Sequence, residues 1–97
     1  MKLNNPTVHE KDSDSVYIIQ DNETSLEYKL YRGKYRHYKG QLYEVLGVCT
    51  HTETEEKLVY YQSLYGDFAF WVRPIKNFFE MVYYNGNLHP RFSKESF

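Results

Sequence analysis

The sequence predicts an all-β fold: a small barrel of five or six short strands with one short helical turn, preceded by an N-terminal extension. Three observations carry this reading. Apolar and aromatic residues come in short β-prone runs, several of which alternate with polar residues. Turn signals separate these runs so closely that no long helix fits between them. The chain of 97 residues also holds 11 Tyr, 6 Phe and 1 Trp. Large rings suit a thin core, because a domain of roughly 60 residues buries only about 60% of its unfolded surface.

Residues 1–15 are polar, with Pro6 and the run Glu10-Lys11-Asp12-Ser13-Asp14, and are expected to be a mobile tail. Residues 16–32 form the extension. Val16-Tyr17-Ile18-Ile19 is a short β-prone run that can add a strand in cis or in trans. Asp21-Asn22-Glu23-Thr24 is a turn, and Leu26, Tyr28 and Leu30 then alternate with polar residues in a second extended piece. The barrel domain is expected over 33–92. Its first strand runs from Lys34 to Tyr38 and ends at a Lys39-Gly40 turn.

Leu42 to Thr50 has apolar groups on both faces: Tyr43, Val45 and Cys49 on one, Leu42, Leu46 and Val48 on the other. Such two-sided burial marks a central strand of a closed or strongly curved sheet. Gly47 inside it predicts a bulge or sharp bend. The polar run 52–57 is a hairpin tip, Leu58 to Leu64 the returning strand, and Tyr65-Gly66-Asp67 a turn. Phe68 to Val72 follows, with Trp71 and Arg73 on one face. Pro74 ends that strand and suits the first position of a helical turn over 75–79. Asn85-Gly86 accepts the positive φ angles of a type I′ turn, so 81–84 and 87–92 form a hairpin. Residues 93–97 are left as a tail. Five or six strands are too few for a two-sheet sandwich of the immunoglobulin kind, so a small SH3-like barrel fits better.

The net charge is −1, which gives no global attraction to nucleic acid or an anionic membrane. It divides into −3 over residues 1–30 and +2 over 31–97. No apolar run is long enough to span a bilayer, and the first residues lack the apolar segment of a secretory signal. One cysteine, Cys49, permits no internal disulfide and is expected as a small buried apolar group. The resulting expectation is a cytoplasmic protein, a monomer or weak dimer, with no membrane association and no cofactor. No phosphate-binding glycine loop, CxxC pair or Gly-x-Ser-x-Gly elbow is present.

Three blocks of residues resemble a known family. The first holds Gly33, Tyr35, His37, Tyr38, Lys39, Gly40, Tyr43 and Val45. The second holds His51, Glu53, Thr54, Glu56, Leu58, Val59, Tyr61, Leu64, Tyr65 and Gly66, and the third Trp71, Val72, Arg73, Pro74, Phe78 and Glu80. In their order and spacing they resemble the short bacterial proteins of domain-of-unknown-function family 1653. The resemblance covers about two thirds of the chain and implies an SH3-like barrel without implying an activity. Cys49 and Asn77 depart from the resemblance, which leads to the expectation of alanine and methionine there.

The candidate functional residues fall into three groups. An aromatic groove for a protein or peptide partner would be built around Tyr35, Tyr38, Tyr61, Tyr65 and Trp71, with His37, Arg73, Glu53 and Glu56 at its rim. The alternative is a surface for single-stranded nucleic acid over residues 32–39, where Arg32, Lys34, Arg36 and Lys39 interleave with aromatic rings and no acid intervenes. The third is a metal-dependent hydrolytic site at His37, His51 and Glu53. His51 and Glu53 lie two apart and share a face if extended, and His37 joins them if its strand adjoins. Each group has an ordinary structural counterpart: core packing for the rings, a solubilised edge strand for the lysines, a polar hairpin tip for His51 to Glu56. Arg73 is expected to bridge to Glu80 or Glu44. With no convincing catalytic set, the leading expectation is a non-catalytic binding module.

Overall fold

The computed structural model describes residues 7–10, 15–21 and 25–95. Their strands are β1 (Thr7–Glu10), β2 (Ser15–Gln20), β3 (Glu27–Tyr31), β4 (Gly33–His37), β5 (Leu42–Thr50), β6 (Lys57–Ser63), β7 (Phe70–Pro74), β8 (Met81–Tyr84), β9 (Asn87–Pro90) and β10 (Phe92–Lys94), with the single helical turn α1 (Ile75–Phe78) after β7. All neighbouring strands pair antiparallel, in three sheets: β1-β2-β3, β10-β4-β5-β6-β7 and the hairpin β8-β9. The all-β fold with one short helical turn is therefore as expected. The expected strand set is an open sheet, because β7 and β10 are both edges and no hydrogen-bond ladder joins them.

Aromatic packing fills the seam between those edges. α1 lies there, and its Phe78 ring stacks on Phe92 of β10 with centroids 4.4 Å apart and planes 7° apart. From β7, the Arg73 guanidinium lies 5.7 Å from the Phe92 centroid. Pro74 leads into α1 at φ −53°, close to the angle its ring imposes.

The central strand β5 runs over the predicted residues, and its register with β6 slips between Val45 and Gly47. The slip is the bulge that Gly47 forecast. A Cβ there would meet the Tyr17 hydroxyl at 3.2 Å, so the glycine also lets the N-terminal sheet approach. The bulge corrects one expectation. Val48, not Cys49, comes round to the core after it, and Cys49 is exposed. Partial burial still raises the thiol above its ordinary value, which works against a nucleophilic role.

Two strand boundaries also differ from expectation. Phe68 has φ 54° and belongs to the turn, its N–H donating to the Tyr65 carbonyl at 3.1 Å, so β7 starts at Phe70. The hairpin turns at Asn85 and Gly86, with φ 54° and 83°, but β9 ends at Pro90. Arg91 donates its N–H to Glu80 O at 3.0 Å, and Phe92–Lys94 departs to pair with β4. Residues 93 and 94 are thus an edge strand and not a tail.

The extension adds its strands in cis. Val16–Ile19 lies within β2, which pairs with β3. Of the stretch read as a polar tail, residues 7–10 run as β1 and the rest of 1–14 lies outside the described residues. Residues 22–24 of the expected turn also lie outside them, and Ser25 N–H closes on the Asp21 carbonyl at 2.9 Å.

Ile19 and Leu30 join one core with Tyr35, Val45, Val59, Tyr61, Ile75, Phe78 and Phe92. Tyr17 and Tyr28, cross-strand partners of Leu30 and Ile19, pack against its margin. Tyr35 couples the two sheets. Its hydroxyl donates to the Tyr31 carbonyl at 2.8 Å and accepts from the Tyr31 N–H at 3.2 Å. Burial pushes this phenol up to about 12, against the lowering effect of the Tyr31 backbone hydrogen bond. Its value in the unfolded chain is the ordinary 10.0, so the contribution to stability is whole below that pH and is lost as pH rises towards about 12. The limiting slope is about 1.4 kcal/mol per pH unit. We expect a lower urea midpoint at pH 11 than at pH 9, with part of the difference removed by Tyr35→Phe. Equal midpoints would contradict the burial of this hydroxyl.

Candidate aromatic face

Strand pairing puts three of the candidate aromatics, Tyr35, Tyr61 and Trp71, on one face of the five-stranded sheet. Cross-strand partners point the same way, and the pairs run Trp71 to Tyr61, Tyr61 to Val45, Tyr43 to Tyr35 and His37 to Phe92. Arg73, two residues along β7 from Trp71, shares this face opposite Val59. The middle of the face is core. Tyr35 and Tyr61 are both buried, and Tyr43, Tyr61 and Phe92 meet edge to face at 5.5–5.6 Å.

The rim is open. Tyr65 stands upright on Tyr43, rings at 86° and hydroxyls 2.6 Å apart. Burial, and next the bond to Tyr65, raise the Tyr43 phenol well above its ordinary value. Trp71 is half exposed, and its Nε1–H points to Ser63 Oγ at 3.5 Å. On the other side of Tyr43, His37 packs against Tyr38 at 4.4 Å, and Tyr38 in turn meets Tyr84 of the hairpin at 5.1 Å. Ring contacts therefore run from Tyr65 through Tyr43 and His37 to Tyr38, and Trp71 stands beside Tyr61 on the same face.

Arg73 anchors this face from below. Its Nε–H donates to the Tyr61 hydroxyl at 3.1 Å and its Nη1 to Asn77 Oδ1 at 2.6 Å. Asn77 passes the connection on, donating to Glu80 Oε1 at 3.1 Å, and Arg91 Nη2 holds the same oxygen at 2.8 Å. The expected Arg73–Glu80 bridge is thus relayed through Asn77. Tyr43, Ser63, Asn77, Arg91 and Phe92 were not among the candidate functional residues read from the sequence. Their contribution depends on register and on the return of β10, and no local spacing announces either.

The two candidate histidines are not brought together. His37 ends β4, next to the start of β5, whereas His51 follows the far end of β5. Nine residues of strand separate those ends, roughly 30 Å at 3.4 Å per residue. Each ring instead organises its own turn. His37 Nδ1 accepts from Lys39 N–H at 3.2 Å, and His51 Nδ1 from the N–H groups of Glu53 and Thr54 at 3.1 and 3.3 Å. Burial first, then the charges of Arg73, Arg91 and Lys39, lower the His37 pKa, so the neutral ring that this acceptor role needs is favoured.

Glu53 and Glu56 lie on the exposed 51–56 tip, at the opposite end of β6 from Tyr65. Glu56 instead lines an open cleft of about 360 Å³ with Gln20, Asp21, Thr54, Glu55, Lys57, Ile75 and Lys76. Among the described residues no three His, Cys, Asp or Glu side chains form a group that could hold a metal ion. The basic segment is divided by strand alternation: Tyr35 and His37 turn inward while Lys34 and Arg36 are exposed. Arg36 is also engaged, with Glu95 at 3.1 Å and the Gly40 carbonyl at 2.8 Å.

Comparison with known proteins agrees with the fold. Residues 33–94 match a family described as proteins of unknown function, DUF1653. Among solved structures, a DUF1653 protein from Bordetella bronchiseptica is 35% identical, with a TM-score of 0.62 over 66% of this chain and 85% of that one. No curated protein matches the chain.

Proposed function

The chain belongs to the DUF1653 family, whose description assigns no activity, and from its geometry we propose that it is a non-catalytic binding module for an extended protein or peptide partner. The observation that supports this reading is the open rim of the face, where the rings of Tyr65, Tyr43, His37 and Tyr38 touch in turn and Trp71 stands exposed beside Tyr61. Rings that only filled a core would end at Tyr35, Tyr61, Phe78 and Phe92, which are buried. Trp71 and Tyr65 continue outward instead, each tied to a neighbour through its polar atom. Side chains held in this way lose little freedom on contact, which is why Trp and Tyr recur as binding anchors.

The polar surroundings support recognition more than catalysis. His37 accepts a backbone amide hydrogen bond, and its lowered pKa favours the neutral ring that this needs, while Arg73 is held by a phenol and an amide. None of these stands beside a nucleophile. Nucleic-acid binding through residues 32–39 has weaker support, since the rings and cations of β4 lie on opposite faces.

Selection from a displayed random peptide library tests the reading without a known partner. Peptides enriched on the native protein should bind Trp71→Ala or Tyr65→Ser at least tenfold more weakly, both variants retaining the native circular dichroism spectrum. Binders that tolerate both substitutions would place the binding surface elsewhere.

A further inference from the structure

β7 is the end strand of its sheet, and no described strand pairs with its outer side. The direction of its backbone groups follows from one hydrogen bond. Ser63 N–H donates to Ala69 O at 3.0 Å, at the start of the β6–β7 ladder. Antiparallel pairs alternate between bonded and non-bonded. With Trp71 opposite Tyr61 and Arg73 opposite Val59 as bonded pairs, the N–H and C=O groups of Phe70 and Val72 turn away from β6. Pro74 falls on the same outward phase, where its missing N–H leaves the ladder intact.

The side chains on this edge are equally open. Phe70, Trp71 and Val72 are 58%, 50% and 54% exposed. Folded proteins ordinarily blunt such an edge with lysine, proline or a covering element. Here Pro74 and the turn α1 that follows it do so at one end only, and the three residues before Arg73 carry no charge.

Charge defines the occupant. Arg73 is half-buried and no carboxylate among the described residues pairs with it, the one acid of its network, Glu80, being held by Arg91 and Asn77. A partly desolvated guanidinium without an anion favours a carboxylate supplied from outside.

We propose that an extended peptide segment alternating apolar and acidic side chains adds to the free edge of β7 as a further strand. Its backbone bonds to Phe70 and Val72, its carboxylates face the Trp71 and Arg73 side, and its apolar residues lie beside Phe70 and Val72. This deepens the reading of the aromatic face as a binding surface and rests on it.

Fluorescence anisotropy with a labelled nonapeptide alternating valine and glutamate tests the proposal on the full chain. It should bind at least tenfold more tightly than the same peptide with lysine in place of glutamate, and the difference should shrink as sodium chloride is raised. N-methylation of the amides on one edge of the peptide should weaken binding at least tenfold, and methylation of the other edge should not. Arg73→Gln should remove the preference for glutamate. Should that variant unfold, the N-methyl series on the native protein decides alone. Equal binding of the lysine peptide, indifference to N-methylation of either edge, or stronger binding of a thymidine decanucleotide would overturn strand addition. Library peptides that depend on Trp71 yet ignore N-methylation would leave the aromatic face standing and remove only this proposal. Indifference to Trp71 would remove both.

Discussion

Phe78→Ala should be the most damaging single substitution in the chain, lowering stability by about 3–5 kcal/mol. Phe78 is among the largest fully buried side chains. It stacks on Phe92, meets Tyr35, Tyr61 and Phe79 edge to face at 5.3–6.0 Å, and sits in a helical turn of four residues. So short a turn has no stability of its own. Its ring is what holds it in the seam, and the ring in turn keeps β10 against β4. Loss of the side chain therefore removes packing from both edges of the sheet. Since a whole domain is stable by only about 5–15 kcal/mol, the variant should be largely unfolded at 37 °C or melt lower by on the order of 20 °C. Thermal and urea denaturation followed by Trp71 fluorescence measure this. A loss under about 1 kcal/mol would mean that the seam closes without the ring.

Leu30→Ala should come second, at about 2–5 kcal/mol. Leu30 has no exposed surface, although it belongs to the N-terminal sheet and precedes the residues that match the family. With Ile19 it shares the core of the five-stranded sheet, so the extension is a structural part of the fold. The control is Leu26→Ala just upstream, which is exposed and should change stability by less than about 0.5 kcal/mol. Equal, small effects at the two positions would show that the N-terminal sheet is an appendage. A large effect at Leu30 alone would also explain how Gly47 serves this chain, since a Cβ there would press on Tyr17 of the same sheet.

Much of this architecture was legible where single residues dictate backbone geometry. Gly47 announced the bulge, Asn85-Gly86 the hairpin turn, and Pro74 the end of β7. The errors lie where geometry depends on partners distant in sequence. Cys49 was placed in the core because a bulge reverses the alternation that follows it. Phe92–Lys94 was divided between a hairpin and a tail because its partner, β4, lies far upstream. Alternation put Trp71 and Arg73 on one face, but no period of two says how deep along a strand water reaches. Tyrosine makes this hardest to read, since it suits both a core and a surface. The structure separates buried Tyr35 and Tyr61 from exposed Tyr65, and it adds Tyr43 and Ser63 as the supports of the rim.

The pairing of β10 with β4 has a consequence for synthesis. Arg36 and its partner Glu95 are 59 residues apart in the chain. Everything between them can leave the ribosome as hairpins, yet Phe92 must emerge before Phe78 has its stacking partner and β4 its second neighbour. Contacts of such long sequence separation are slow to form, because loop closure comes before any reward. During translation β4 and β7 are thus both unprotected edges, and β7 carries the apolar stretch Phe70-Trp71-Val72. The nascent protein spends its period of greatest aggregation risk with that surface uncovered, so its yield in a cell should be more sensitive to chaperone supply than the stability of the finished fold suggests.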